Sequence, residues 1–171
     1  WKLGDPISRR AEVFLLQASG FQRYILSLDT NSIESMGYVK QGQPPFVAGE
    51  YLAATGLVRQ DPDWIAAIKK RGIQDINKVI NIPFSVGHFG DPTDQQKRLT
   101  RVASYYPADT PNYWGRPIGG LSALLDLKAK KVIDVIDTGV TPIPGGTVDF
   151  DTASVGVREN PANAISYSQP K

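Results

Sequence analysis

The stretch 116–139, RPIGGLSALLDLKAKKVIDVIDTG, decides how the rest of the chain is read. Leu121, Ala123, Leu125 and Leu127 recur at every second position, which places them on one face of a strand. A second run, KKVIDVID (130–137), follows across the short link Asp126-Leu127-Lys128-Ala129-Lys130, so the two runs pair as a hairpin. Upstream, NKVINIPFSVG (77–87) and KRLTRVASYY (97–106) are two further strand candidates, giving four in succession.

Two helices precede these strands. In AGEYLAATGLVRQ (48–60), Tyr51, Leu52, Thr55 and Val58 form the expected buried stripe, and Gly56 weakens the helix by about 1 kcal/mol relative to alanine. DPDWIAAIKKRG (61–72) is a stronger signal. Asp61 suits the N-cap, Pro62 the first turn and Gly72 the stop. Trp64, Ile65 and Ile68 make its buried stripe. Lys69, Lys70 and Arg71 complement the negative end of the helix dipole and are read as solvated surface. Helix, helix and four strands make an α+β unit, with helix on one face of a curled antiparallel sheet.

The first 45 residues differ. AEVFLLQ (11–17), FQRYILSL (21–28) and SIESMGYV (32–39) read as a three-strand meander, with turns at Ala18-Ser19-Gly20 and Asp29-Thr30-Asn31. Tyr24, Leu26 and Leu28 alternate with Arg23, Ile25 and Ser27. Pro44-Pro45 then ends the ladder. Three strands without a helix leave one sheet face uncovered and marginal alone, so this sheet is expected to pack on the second unit or to lack elements before Trp1. The opening Trp1 fits a chain processed or excised from a longer one. From 138 to 171, Pro, Gly, Asn and Ser recur without periodicity, as in an extended connector.

The 171 residues fit one domain or two small ones, and 41% hydrophobic content allows a real core. Nineteen basic and 17 acidic residues give +2, which supplies no electrostatic case for nucleic acid or an anionic membrane. The lysines at 128, 130 and 131 sit at the hairpin turn and are read as solvated. No apolar run reaches the roughly 18 residues of a membrane span, and no secretory leader is read at the start. The absence of cysteine excludes disulfides, thiolate zinc and cysteine nucleophiles, and is compatible with any compartment.

Asp137-Thr138-Gly139 spells the tripeptide that carries the catalytic carboxylate of aspartic proteases. That chemistry needs two carboxylates sharing a proton, hence a second copy from a repeat or a dimer partner. The chain holds no second copy, and Val140-Thr141-Pro142 follows where Ser or Ala is usual. Asp137 is therefore read as a strand end, with Gly139 supplying the turn. His88, the one histidine, is read as structural, since metal sites want two or three imidazoles or thiolates. The pairs Asp91 with Asp94, Asp134 with Asp137 and Asp149 with Asp151 match no calcium loop, and Asp134 and Asp137 fall on opposite strand faces. Gly119-Gly120 lies inside a strand rather than at a phosphate-binding turn.

The combination of segments is more specific than any one motif. RRAEVFLL (9–16), QPPF (43–46), VRQDPDWIAAIKKRGI (58–73), RLTRVASYY (98–106), RPIGGLSALLDLKAKKVIDVIDTGVTPIP (116–144) and ISYSQP (165–170) resemble, in order and spacing, the N-terminal non-catalytic region of copper-containing primary-amine oxidases. The resemblance implies three parts: residues 1–43 as the last strands of an N2 module, 44–144 as a complete N3 module, and 145–171 as a linker toward a catalytic domain. It implies a cystatin-like fold for both modules. It also implies a parent enzyme that converts primary amines to aldehydes with release of ammonia and hydrogen peroxide. That parent would use a tyrosine-derived quinone and a copper ion held by three histidines, and would be a homodimer.

The family's quinone motif, Thr-x-x-Asn-Tyr-Asp/Glu, is only echoed by TPNYW (110–114): Thr110 is one residue too close, and Trp114 replaces the acid. No catalytic, cofactor-binding or metal-ligating residue is assigned in this chain, and Tyr113 and Trp114 are read as loop or packing aromatics. The expected role is structural: packing on the catalytic domain of the same polypeptide and shaping substrate access, without nucleic acid or membrane. The alternative is a stand-alone binding or scaffolding protein built from the same modules. A homodimeric aspartic protease on Asp137 is the third reading.

Overall fold

A computed structural model of the chain describes residues 2–40, 42–86, 97–108 and 110–145. The first sheet is a meander of β1 (Arg10–Leu16), β2 (Phe21–Ser27) and β3 (Ser32–Val39). Its antiparallel register sets Val13, Tyr24 and Met36 in one row and Leu15, Gln22 and Tyr38 in the next. Ile33, opposite Leu26 beyond a bulge, continues this face. Leu15, Ile33, Met36 and Tyr38 are all exposed, so the face has no cover among the described residues. The other face holds Phe14 edge-on to Phe21, with ring centroids 5.5 Å apart, and an Arg23–Glu12 ion pair.

The second unit contains α1 (Ala48–Gln60), α2 (Pro62–Lys70), β4 (Ile80–Ser85), β5 (Leu99–Tyr105), β6 (Pro117–Asp126) and β7 (Lys131–Asp137). The strands form one antiparallel sheet in chain order, and α1 lies across β4, β5 and β7. The described chain is thus α+β, as the sequence predicts.

The ends of α2 have local causes. Asp61 Oδ1 accepts from the backbone N–H groups of Asp63 (3.0 Å) and Trp64 (2.9 Å), which would otherwise lack partners. Gly72 ends the helix at φ +82°, a conformation that costs a residue without Cβ little. Trp64, Ala67 and Ile68 are buried and Ile65 half-buried against Val102, Leu121, Ala123 and Leu125 of the sheet.

Two details depart from the sequence reading. In α1 the buried residues are Ala54 and Val58, while Tyr51 and Leu52 are exposed. Apolar residues occupy nearly every side of this helix, so its period does not select a face. The sheet selects the one where small Ala54 permits close approach. The segment read as a strand from Asn77 begins instead with a 3-10 turn, Ile76–Lys78, capped by Asp75.

A polar chain runs through the interior. Trp64 Nε1 donates to Ser104 Oγ (3.0 Å), which donates to Asn81 Oδ1 (2.8 Å). It gives the buried indole N–H the acceptor it needs.

Candidate functional site

Asp137, the one residue that raised a catalytic question, ends β7 on the helix side of the sheet, opposite Leu121. There it meets the end of α2. Arg71 Nη2 donates to Asp137 Oδ1 (2.6 Å), and Lys70 Nζ lies 3.4 Å from Oδ2. Oδ1 also accepts from the N–H of Gly139 at 3.1 Å, closing a turn. The Arg71 hydrogen bond, then that of Gly139, holds the carboxyl far below the usual aspartate range. A protease site sets a second carboxylate beside the first, whereas the groups the structure places around Asp137 are Arg71, Lys70 and the Gly139 N–H. The strand-end reading of Asp137-Thr138-Gly139 therefore describes the geometry.

Arg71 itself corrects the sequence reading. Its side chain is 1% exposed, not solvated, and Nη1 also donates to Ala67 O (3.0 Å). Among its neighbours, Lys70 remains exposed. Of the hairpin lysines, Lys128 spans to the first sheet, where Nζ donates to Ala18 O at 2.6 Å.

A second buried arginine has no signature in the sequence. Arg98 stands one residue before β5, with its side chain 4% exposed. Its guanidinium donates to both oxygens of Glu50, to Gln43 Oε1 (3.0 Å), Pro44 O (3.0 Å) and Pro45 O (3.1 Å). It also stands 4.4 Å from the centre of the Phe46 ring. The side-chain hydrogen bond from Arg98 lowers the Glu50 pKa despite partial burial. Glu50 additionally accepts from Val47 N–H at 3.0 Å, capping the start of α1. Pro44-Pro45 and the acid five residues after Pro45 form no pattern that points 48 positions ahead to Arg98.

Tyr113 and Trp114 lie in a 3-10 turn and stack on Tyr105, with centroids 5.8 and 5.2 Å from its ring, as packing aromatics would. Thr110 is buried and caps this loop through the N–H of Asn112 (3.3 Å). Asp134 lies on the outer face of β7, away from Asp137. His88, the pair Asp91 and Asp94, and the pair Asp149 and Asp151 lie outside the described residues. Among the described residues no cluster of three His, Cys, Asp or Glu could hold a metal ion, and no helix is long and apolar enough to cross a membrane. What the geometry builds is two arginine-centred joints, one where the chain enters the second unit and one where it leaves.

Known proteins resemble this chain in sequence and in fold. Residues 49–153 match the family model "Copper amine oxidase, N3 domain". A primary amine oxidase of Klebsiella aerogenes is 30% identical over 145 residues, covering 82% of this chain and 19% of that protein. A histamine oxidase of Arthrobacter globiformis is 35% identical over 134 residues, covering 76% of this chain and 19% of its own length. The crystal structure of a copper-containing benzylamine oxidase from Hansenula polymorpha superposes with a TM-score of 0.59 at 19% identity, over 98% of this chain and 29% of that one, which shows a shared fold. The chain thus spans less than a third of each of these relatives. With a family match over more than half of its residues, the chain belongs to the copper amine oxidase family, of which it carries the N3 domain.

Proposed function

We propose that this chain is the non-catalytic N2/N3 portion of a primary-amine oxidase, which packs on the catalytic domain of the same polypeptide and shapes substrate access. The parent reaction would be oxidation of a primary amine by O2 to aldehyde, ammonia and hydrogen peroxide, in a homodimer. We further propose the division into 1–43, 44–144 and 145–171, and a cystatin-like relationship for the helix-on-sheet module.

The observation that carries the docking role is the second face of the β4–β7 sheet. Its helix side is filled, yet Ile82, Phe84, Leu124 and Ile136 line the opposite side, where Phe84 is exposed. Apolar residues on a face with no helix over it among the described residues suit burial against a larger body. Copper and the quinone would lie outside this chain. One histidine and no cysteine do not fit a three-histidine site, and Asp137 and Glu50 are already engaged by arginines.

The test compares this chain with the longer polypeptide that carries it. The longer protein should release hydrogen peroxide from a primary amine, and Phe84→Glu should loosen its packing and lower its thermal midpoint. The 171-residue chain should oxidise no amine and lose copper on dialysis. Retention of one tightly held copper per isolated chain would overturn the reading.

A further inference from the structure

We propose that residues 138–143 form a strap that Arg71 locks to the module, fixing the direction in which the chain leaves β7 before it meets any partner. Two independent sets of contacts support this.

The first is the guanidinium. Arg71 stands just past α2, and one Nη2 reaches Asp137 Oδ1 and Gly139 O, each at 2.6 Å, with Gly119 O at 3.5 Å. Nη1 is tied back to Ala67 O. A single buried group therefore joins the end of α2, the start of β6, the end of β7 and the first residues beyond it. Burying an arginine is costly unless its charge is matched, and here Asp137 at the end of β7 supplies the counter-charge and Gly139 O of the departing chain a close acceptor, while Nε has no partner among the described residues.

The second is the surface the strap lies on. Within β6, Ile118 and Leu121 both face the core despite their odd spacing, because extra residues bulge out between the Ala103–Ser122 and Tyr105–Pro117 pairs. Gly119 and Gly120 form that bulge, with Gly120 at φ +70°. A Cβ on Gly120 would stand 2.7 Å from Gly139 O and 3.0 Å from Thr138 Oγ1, and one on Gly119 would collide with Thr141 Oγ1. The strap thus rests on bare backbone. Thr138 N–H donates to Gly120 O at 2.9 Å, and Ile143 packs against the hydrophobic core. Pro142 and Pro144 stiffen what the contacts hold. A linker meant to swing freely would need neither a buried cation nor a glycine bed.

Amide hydrogen exchange by NMR on the full chain tests the strap at Thr138, whose acceptor, Gly120 O, no substitution below touches. In Arg71→Met, exchange at Thr138 should rise by about tenfold or more while Val102, in central β5, holds its rate, as for a local opening. Should Arg71→Met disturb folding, Asp137→Ala, which removes the acceptor and keeps the arginine, must show the same selective loss. Unchanged protection of Thr138 in both variants, or equal loss at Thr138 and Val102 in both, would overturn the proposal.

Discussion

Arg98 donates to both carboxylate oxygens of Glu50, 48 positions earlier, and so clamps the Gln43–Phe46 linker onto the start of α1. The pair is nearly out of solvent, at 4% and 22% side-chain exposure. Removing one partner of such a pair strands the other. Glu50→Ala should cost about 3 kcal/mol, read as a lower urea midpoint with an unchanged slope. Arg98→Lys should recover little of what Arg98→Met loses, because an ammonium cannot reach Glu50 and two proline carbonyls in one plane.

The same pair sets an acid limb. The folded-state pKa of Glu50 is depressed, so its contribution is complete above the unfolded value of about 4.3 and is lost as pH falls through the folded one. Asp137 behaves likewise at still lower pH. Stability should be flat from neutrality to about pH 5 and fall below it, and Glu50→Gln should flatten the upper part of that fall. Thermal midpoints across pH 3–7 provide the check.

Trp64→Phe should cost about 1–2 kcal/mol, because it removes the indole N–H from Ser104 while leaving most of the ring volume. Trp64→Ala should cost about 3–5 kcal/mol through the cavity it opens under α1 and α2. Near-equal losses in the two variants would contradict the packing described for this side chain.

Two glycine-to-alanine changes should have opposite signs. Gly56 lies inside α1 with nothing within 4 Å of a built Cβ, so Gly56→Ala should stabilise by about 0.5–1 kcal/mol. Gly120 sits at φ +70° against Gly139 O, so Gly120→Ala should destabilise by about 1–2 kcal/mol or more. Chemical unfolding of both proteins side by side decides it.

The sequence was most legible where a local rule and the long-range packing agree. Asp61, Pro62, Trp64 and Gly72 specify α2 at its start, face and end, and alternation in 121–127 specifies the buried side of β6. The family resemblance came from segment order, and the N3 match confirms it. Legibility failed where distance in the chain separates partners. Arg71 looks like any cation at a helix end until Asp137, 66 positions later, folds onto it. Arg98 reads as an ordinary strand start, since Glu50 and the proline carbonyls that surround it carry no joint pattern. Gly119-Gly120 is visible inside its strand, but its use depends on Thr138 to Thr141 returning to cover it.

Pro83 stands in the middle of β4, an outer strand of the four-stranded sheet, where it withholds a backbone donor. At the opposite margin, the register of β7 slips around Ile133. Neither rim of the sheet therefore offers the unbroken row of hydrogen-bonding groups on which a foreign strand could be templated. The module can present an oily sheet face to its own polypeptide while refusing to polymerise through its margins, so stickiness in one direction is kept apart from growth in the other.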